Sequence, residues 1–219
     1  MLAAVTIAPA DPGRAFELAL LSTDAVAARR EFAATAEREG TFGAMETLVV
    51  PALQRIGAAW EAGDLALAQL YLAGRIAEEV VTANLPTVGS YTGGVPPIAI
   101  AVLEDHHVLG KRLVVSALRA AGYGVTDYGR GITVDDLVAR CAAAHPRVLL
   151  VSTLMLPSAL RVRDLAAGLA ALDARPALVV GGAPFRLDPQ LWREVGADAG
   201  GHSSTDAIGL VRRFLGGAA

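Results

Sequence analysis

A single cysteine, Cys141, stands among the 219 residues of this chain. One thiol cannot form an internal disulfide, and Cys141 lies in an alanine-rich run that reads as a packed helix. The reducing cytoplasm is therefore the expected compartment. Aromatic residues are scarce at 5% and charged residues sparse at 19%. The net charge is −3 and the basic residues are dispersed, so direct binding to DNA or RNA has no electrostatic footprint. Although 53% of the residues are hydrophobic, no predominantly apolar, uncharged run reaches the roughly 18 residues of a membrane-spanning helix. Met1–Ala10 is apolar but lacks a basic n-region and runs straight into Asp11-Pro12, which argues against a signal peptide.

What remains is two halves of different character. The first, residues 1–83, reads almost entirely as helix: Pro12–Leu21, Asp24–Glu39, Ala44–Trp60 and Leu65–Ala83, broken at Ser22-Thr23, Gly40-Thr41 and Gly63-Asp64. Leu48, Ala52, Ile56 and Ala59 recur at helical spacing and share one face. Thr23 or Ser22 is expected to cap the second helix and Asp64 the fourth. Short connections and apolar stripes predict an antiparallel bundle of about four helices, in which Leu65, Leu67, Leu70 and Leu72 are expected in the core. Asn84–Pro97 (NLPTVGSYTGGVPP) has no apolar periodicity and reads as a linker.

From residue 98 to the end, short apolar runs alternate with helical patterns. Strands are predicted at Ile98–Leu103, Val125–Tyr128, Arg147–Val151 and Ala177–Val180, with a fifth around Asp198–Gly200. Helices are predicted near Gly110–Ala121, Val134–Ala143, Ala159–Leu172, Pro189–Val195 and Thr205–Phe214. Strands apolar on both faces and joined by helical crossovers make a doubly wound α/β domain with a parallel sheet, Rossmann-like or flavodoxin-like. Ligands of such sheets bind beyond the carboxyl ends of the strands. Glu104–Gly110, Ser152–Leu154 and Gly181-Gly182 all fall there.

Within LEDHHVLGKRL, the first of those segments, Asp105 and His107 are two residues apart directly after a strand. A carboxylate commonly orients a ligating imidazole through the nitrogen that does not bind metal. By itself the pair is equally a capped turn with exposed histidines, and two histidines are too few for zinc. His145 and His202 could approach only through the fold. The loop is too acidic and bulky to cradle a flavin phosphate, and no G-x-G-x-x-G follows a strand.

Asp105, His107 and Gly110 reproduce D-x-H-x-x-G; Ser152 and Leu154 follow after 41 intervening residues, and Gly181-Gly182 after a further 26. On these seven residues the C-terminal half, Ile98 to about Phe214, resembles the corrinoid-binding, or vitamin-B12-binding, domain family. The helical half resembles the cap preceding that domain in methyl-transferring corrinoid proteins, through IGAAWEAGDLALAQLYLAG (Ile56–Gly74). The VGADAGGHSSTDAI segment (Val195–Ile208) is also similar to the methyl-carrier branch, with Ser203, Ser204 and Thr205 as helix caps or pocket groups.

The resemblance implies a cobalamin cofactor: methylcobalamin, hydroxocobalamin or a related corrinoid. His107 would be the lower ligand to cobalt, replacing the cofactor's own base, with Asp105 holding its other nitrogen. The nucleotide tail would enter a slot where Ser152 hydrogen-bonds and Gly181 and Gly182 let the backbone come close. Gly110 would pass near the corrin edge, and Leu154 would pack. His106 would be an exposed bystander or a corrin contact. Trp60 would cover the upper face or fill the bundle core.

Two positions depart from the family pattern. Glu104 replaces a common Gly, putting the loop conformation in question, and Arg112 replaces a common Asn. Light-sensing relatives carry Glu-His downstream of the Trp, where this chain has Leu70 and Tyr71.

The implied role is a methyl carrier, the corrinoid component of a multi-protein system rather than a complete enzyme. It would serve a substrate-specific methyltransferase and a methyl-acceptor methyltransferase, with residues 84–97 as hinge. The competing role is a cobalamin-responsive sensor or antirepressor acting through a transcription regulator; storage or delivery is a third.

Overall fold

The computed structural model describes residues 12–85 and 97–216. The chain divides into two compact units, Met1–Leu85 and Pro86–Ala219. Most of the predicted linker, and the hinge read from it, lies outside the described residues.

The first unit contains α1 (Pro12–Leu21), α2 (Ala25–Ala44), a π-helical turn (Met45–Val49), α3 (Val50–Glu61) and α4 (Leu67–Asn84). The break predicted at Gly40-Thr41 is present as a kink inside α2, where Gly40 has φ +77° and ψ 163°. That is a conformation glycine adopts without steric cost. Phe16, Leu20, Phe32, Met45, Leu48, Ala52, Ile56, Val80 and Val81 are buried, as the helical spacing of Leu48, Ala52 and Ile56 requires.

Three expectations fail in this unit. Asp24, not Thr23 or Ser22, caps α2 by accepting the Ala27 N–H at 2.9 Å; Thr23 sits at φ +58° in the turn before it. At α4 the first residue outside the helix is Ala66, whose N–H is held by Gln69 Oε1 at 3.0 Å, and Asp64 plays no part. Leu67 and Leu72 are exposed and Leu65 and Leu70 only half-buried, because α4 turns Ala73, Ala77, Val80 and Val81 inward instead.

The second unit is a five-stranded sheet ordered β2-β1-β3-β4-β5. Its strands are β1 (Ile98–Leu103), β2 (Val125–Ile132), β3 (Val148–Ser152), β4 (Ala177–Gly181) and β5 (Ala199–Gly201), and every pairing is parallel. The helices are α5 (Leu109–Ala120), α6 (Val134–Ala144), α7 (Leu156–Leu160), α8 (Val162–Ala170), α9 (Ala183–Leu187), α10 (Leu191–Glu194) and α11 (Ser204–Gly216). This is the flavodoxin-like order, the architecture the alternating pattern predicts.

All six residues of β1 are buried, because helices cover both faces. Ile98 and Ile100 pack with Leu118 of α5 and Val211 of α11. Ala99, Ala101 and Leu103 pack with Leu137 of α6 and Leu165 of α8. Cys141 faces this second cluster; burial pushes its thiol up to about 11, leaving it an inert core residue.

Local details differ from the expected boundaries. β2 runs on to Ile132, the helix predicted from Ala159 begins at Leu156 and is split into α7 and α8, and α9 follows Gly182 where no helix was expected. Ser203 caps α11 by accepting the Asp206 N–H at 3.0 Å, while Asp206 accepts from the His202 N–H at 3.1 Å.

Candidate functional site at the carboxyl edge of the sheet

The site begins where β1 ends. Asp105 is almost fully buried, although it lies in a loop, and its carboxylate gathers hydrogen bonds from two directions. Oδ1 accepts the N–H groups of His106 and His107 at 2.6 and 3.1 Å and contacts His107 Nδ1 at 2.5 Å. Oδ2 accepts the N–H groups of Leu154 and Met155 at 2.8 and 3.0 Å, tying the loop after β1 to the loop after β3.

Burial by itself would raise the carboxyl's pKa. The Leu154 N–H, then the His107 ring and the N–H groups of His107 and Met155, outweigh it and hold Asp105 from 3.8 down to about 2. At neutral pH Asp105 is therefore an anion and can only accept. The proton between Asp105 and His107 belongs to Nδ1, and in the neutral ring that tautomer carries the free lone pair on Nε2. The His107 side chain is 56% exposed, against 1% for that of Asp105. The structure thus presents an oriented imidazole at the ligand-binding edge of a parallel sheet.

The His106 ring, unlike its N–H, is separated from this arrangement. Its exposed ring lies against Gly131 at the end of β2, where a Cβ would come within 2.8 Å of His106 Cε1. Gly131 also donates its N–H to the Asp105 carbonyl at 2.8 Å.

Sheet register assembles the remaining motif residues. Val102 pairs with Ser152, Ser152 with Gly181, and Gly181 with Gly201. These residues form the last rung shared by β1, β3, β4 and β5. Alternation puts their side chains on the face whose next rung contains Ile100, Leu150, Val179 and Ala199, packed with α5 and α11. Along the last rung the side chains diminish from Val to Ser to nothing.

Gly110, in the first turn of α5, completes this corner: a Cβ there would meet Ser152 Oγ at 3.3 Å, and one on Gly181 would meet the Gly201 carbonyl at 3.1 Å. A rung stripped of side chains between a sheet and two helices is a cradle for an extended group. Its fit to a nucleotide tail rests on that stripping and on the Ser152 hydroxyl beside it. Gly182 serves a different need, since with φ +123° a Cβ would lie 1.7 Å from the Thr153 carbonyl oxygen.

Of the expected site residues, Asp105, His107, Gly110, Ser152, Leu154, Gly181 and Gly182 therefore converge at one edge. Leu154 contributes its N–H, while its side chain is exposed beside Met155 and Leu156. Trp60 lies in the other unit and is 42% exposed, so it does not fill the bundle core.

Sequence reasoning missed Gly201, the Met155 N–H, Ser158 and Arg161. Ser158 Oγ donates to the Glu104 carbonyl at 2.9 Å, and Arg161 Nε donates to Glu104 Oε2 at 3.1 Å. The Gly200-Gly201 pair was the only signal in the chain for any of these. The departure at Glu104 also has its structural meaning: the residue sits at φ +43°, a left-handed conformation that glycine occupies freely.

A flavodoxin-like sheet that offers an imidazole at its carboxyl edge, beside a rung ending in two glycines, is the arrangement of an α/β protein suited to hold a cofactor. Residues 95–209 match the model of the B12 binding domain, and residues 14–83 match a second model of the same description. The chain belongs to the B12-binding domain family, and its cofactor is cobalamin.

Trimethylamine corrinoid protein 1 of Methanosarcina acetivorans is 29% identical over 170 residues, covering 74% of this chain and 77% of that protein. The monomethylamine corrinoid protein of Methanosarcina barkeri superposes with a TM-score of 0.72 at 24% identity, covering 90% of this chain and 94% of that one. A chain of the methanol:cobalamin methyltransferase complex of Methanosarcina barkeri superposes with a TM-score of 0.51 at 15% identity, covering 96% and 82%. At these identities the two superpositions speak for the fold. Among the described residues, no helix is long and apolar enough to cross a membrane.

Proposed function

We propose that this protein is the corrinoid component of a methyltransferase system, holding cobalamin and presenting it in turn to a methyl-donating and a methyl-accepting partner enzyme. The bound cofactor supplies the chemistry: a cobalt centre that takes up and releases a methyl group. The similarity to the trimethylamine corrinoid protein supports this reading, and the two superpositions show that the chain has a fold suited to it.

The observation that carries the site is the 2.5 Å contact between Asp105 Oδ1 and His107 Nδ1. In this reading His107 would hold the cobalt of the bound cofactor through Nε2. Asp105 orients the ring and keeps the Nδ1 proton in place, and its four backbone donors hold the carboxylate itself still. Ser152, Gly181 and Gly110 receive the cofactor's tail, with Ser152 as hydrogen-bonding group. Leu154 supports Asp105 through its N–H. Trp60 is exposed on the helical unit and so is available as a contact.

Reconstitution with hydroxocobalamin tests this reading. In the cobalt(II) state, wild-type protein labelled with 15N-histidine should show, by electron paramagnetic resonance, the doublet superhyperfine splitting of a histidine nitrogen rather than the triplet of the cofactor's own base. His107→Ala should lose the splitting and retain cofactor less well, whereas His106→Ala should match wild type. Persistence of the splitting in His107→Ala would reject the ligand assignment. The carrier role is read separately, as one methyl group taken up per reduced cobalamin in the presence of a methyl-donating partner.

A further inference from the structure

Glu104 is the residue at which the chain departs from the glycine common in the family, and it is one of three non-glycine residues at positive φ in the described structure. A left-handed conformation is disfavoured for a residue with a Cβ, so something must hold it. Three restraints meet on this residue. Its N–H donates to the Ile132 carbonyl at 3.0 Å. Its carbonyl accepts from Ser158 Oγ, which is buried, at 2.9 Å. Its carboxylate accepts from Arg161 Nε at 3.1 Å and from Arg161 Nη2 at 3.4 Å, a forked pairing. Arg161 is steadied in turn by Asp164, with which it also pairs.

The residue so held is the last before Asp105 and His107. From Glu104 onward the loop is fastened to the segment after β3 at two levels: by Asp105 Oδ2 to the Leu154 and Met155 N–H groups, and by Glu104 to Ser158 and Arg161. The first level orients the imidazole. The second sets the direction in which the chain leaves β1 and hence where that imidazole stands.

We propose that Glu104 is a positioning residue, anchored by Arg161 and Ser158, which takes over with side-chain contacts the backbone role that a glycine would fill by conformational freedom. The link to cobalt coordination rests on the reading of His107 as ligand; the positioning of the loop does not.

The experiment uses the full chain in four forms: wild type, Arg161→Met, Glu104→Gly, and the two substitutions together, with Ser158→Ala as a second way to loosen the anchor. In cofactor-free protein, amide hydrogen exchange at His106–Val108 should be roughly threefold to fivefold faster in Arg161→Met, the scale of an exposed ion pair. Adding Glu104→Gly to Arg161→Met should restore the wild-type rate, because glycine holds the left-handed turn unaided. After reconstitution with hydroxocobalamin, the fraction of cobalt(II) showing imidazole splitting should follow the same order: reduced in Arg161→Met and Ser158→Ala, recovered in the double variant.

Rescue by glycine but not by Glu104→Ala in the same Arg161→Met background separates positioning from a merely stabilising ion pair, since alanine removes the unpaired charge and keeps the Cβ. Wild-type exchange in Arg161→Met and Ser158→Ala, or no rescue by Glu104→Gly, would overturn the proposal. Absence of imidazole splitting in wild type would overturn the ligand reading alone, and the exchange rates would still decide whether Glu104 holds the loop.

Discussion

Gly182 and Thr153 approach so closely that a Cβ on the glycine would lie 1.7 Å from the threonine carbonyl oxygen. Gly182 also has φ +123° and ψ −177°, a region that is essentially glycine's alone. The second glycine of the Gly-Gly pair is thus demanded by the packing of two loops, whatever its relation to a ligand. Gly182→Ala should cost about 3 kcal/mol or more, from backbone strain together with overpacking. Chemical denaturation of the cofactor-free protein measures this; a loss under about 1 kcal/mol would show that the β4–α9 turn relaxes around the methyl group.

Asp105→Asn offers a stricter test of the loop. An amide has one acceptor oxygen, whereas five N–H groups point at the two carboxylate oxygens. In either flip, NH2 meets N–H. The substitution should destabilise the second unit by roughly 2–4 kcal/mol at neutral pH, as expected for buried donors left without partners.

Acid should produce a related loss. Asp105 has its carboxyl lowered from 3.8 to about 2 in the folded protein, so its contribution to stability is fully present above about pH 4 and is lost as pH falls toward 2. Stability measured between pH 5 and 2 should therefore fall more steeply in wild type than in Asp105→Asn. Parallel curves would contradict the hydrogen-bonded anion described here.

Trp60 and Ile56 lie one helical turn apart on α3 but differ in burial, at 42% and 0% exposed. Ile56→Ala should cost about 2–4 kcal/mol through the cavity it leaves. Trp60→Ala should shift unfolding by less than roughly 1 kcal/mol. A Trp60→Ala protein that unfolds as early as Ile56→Ala would return this residue to the structural core.

Much of the architecture is written in local pattern. Short uninterrupted apolar runs such as IAIAVL at Ile98–Leu103, bounded by Pro97 and followed by a polar loop, read as strands buried on both faces, and α6 and α11 follow from helical periodicity. Where pattern was ambiguous, the outcome went to competing contacts. Leu67 and Leu72 obey a helical rhythm, yet α4 turns its small residues inward and leaves them exposed. Ser22 and Thr23 have good capping chemistry, but Asp24 stands where the first free N–H groups can be reached.

The identities and spacings in the chain determined that Asp105, His107, Gly110, Ser152, Leu154, Gly181 and Gly182 belong to one kind of site, because a motif is a one-dimensional record of residue types. Only the tertiary structure decided how they are joined. Parallel register sets Ser152 beside Gly181, the turn after β3 delivers two N–H groups to Asp105, and Arg161 reaches back to a left-handed Glu104. Those relationships link residues 29 to 57 positions apart, and hydrogen bonds depend on direction and on distances of a few tenths of an ångström, which no local preference in the chain encodes.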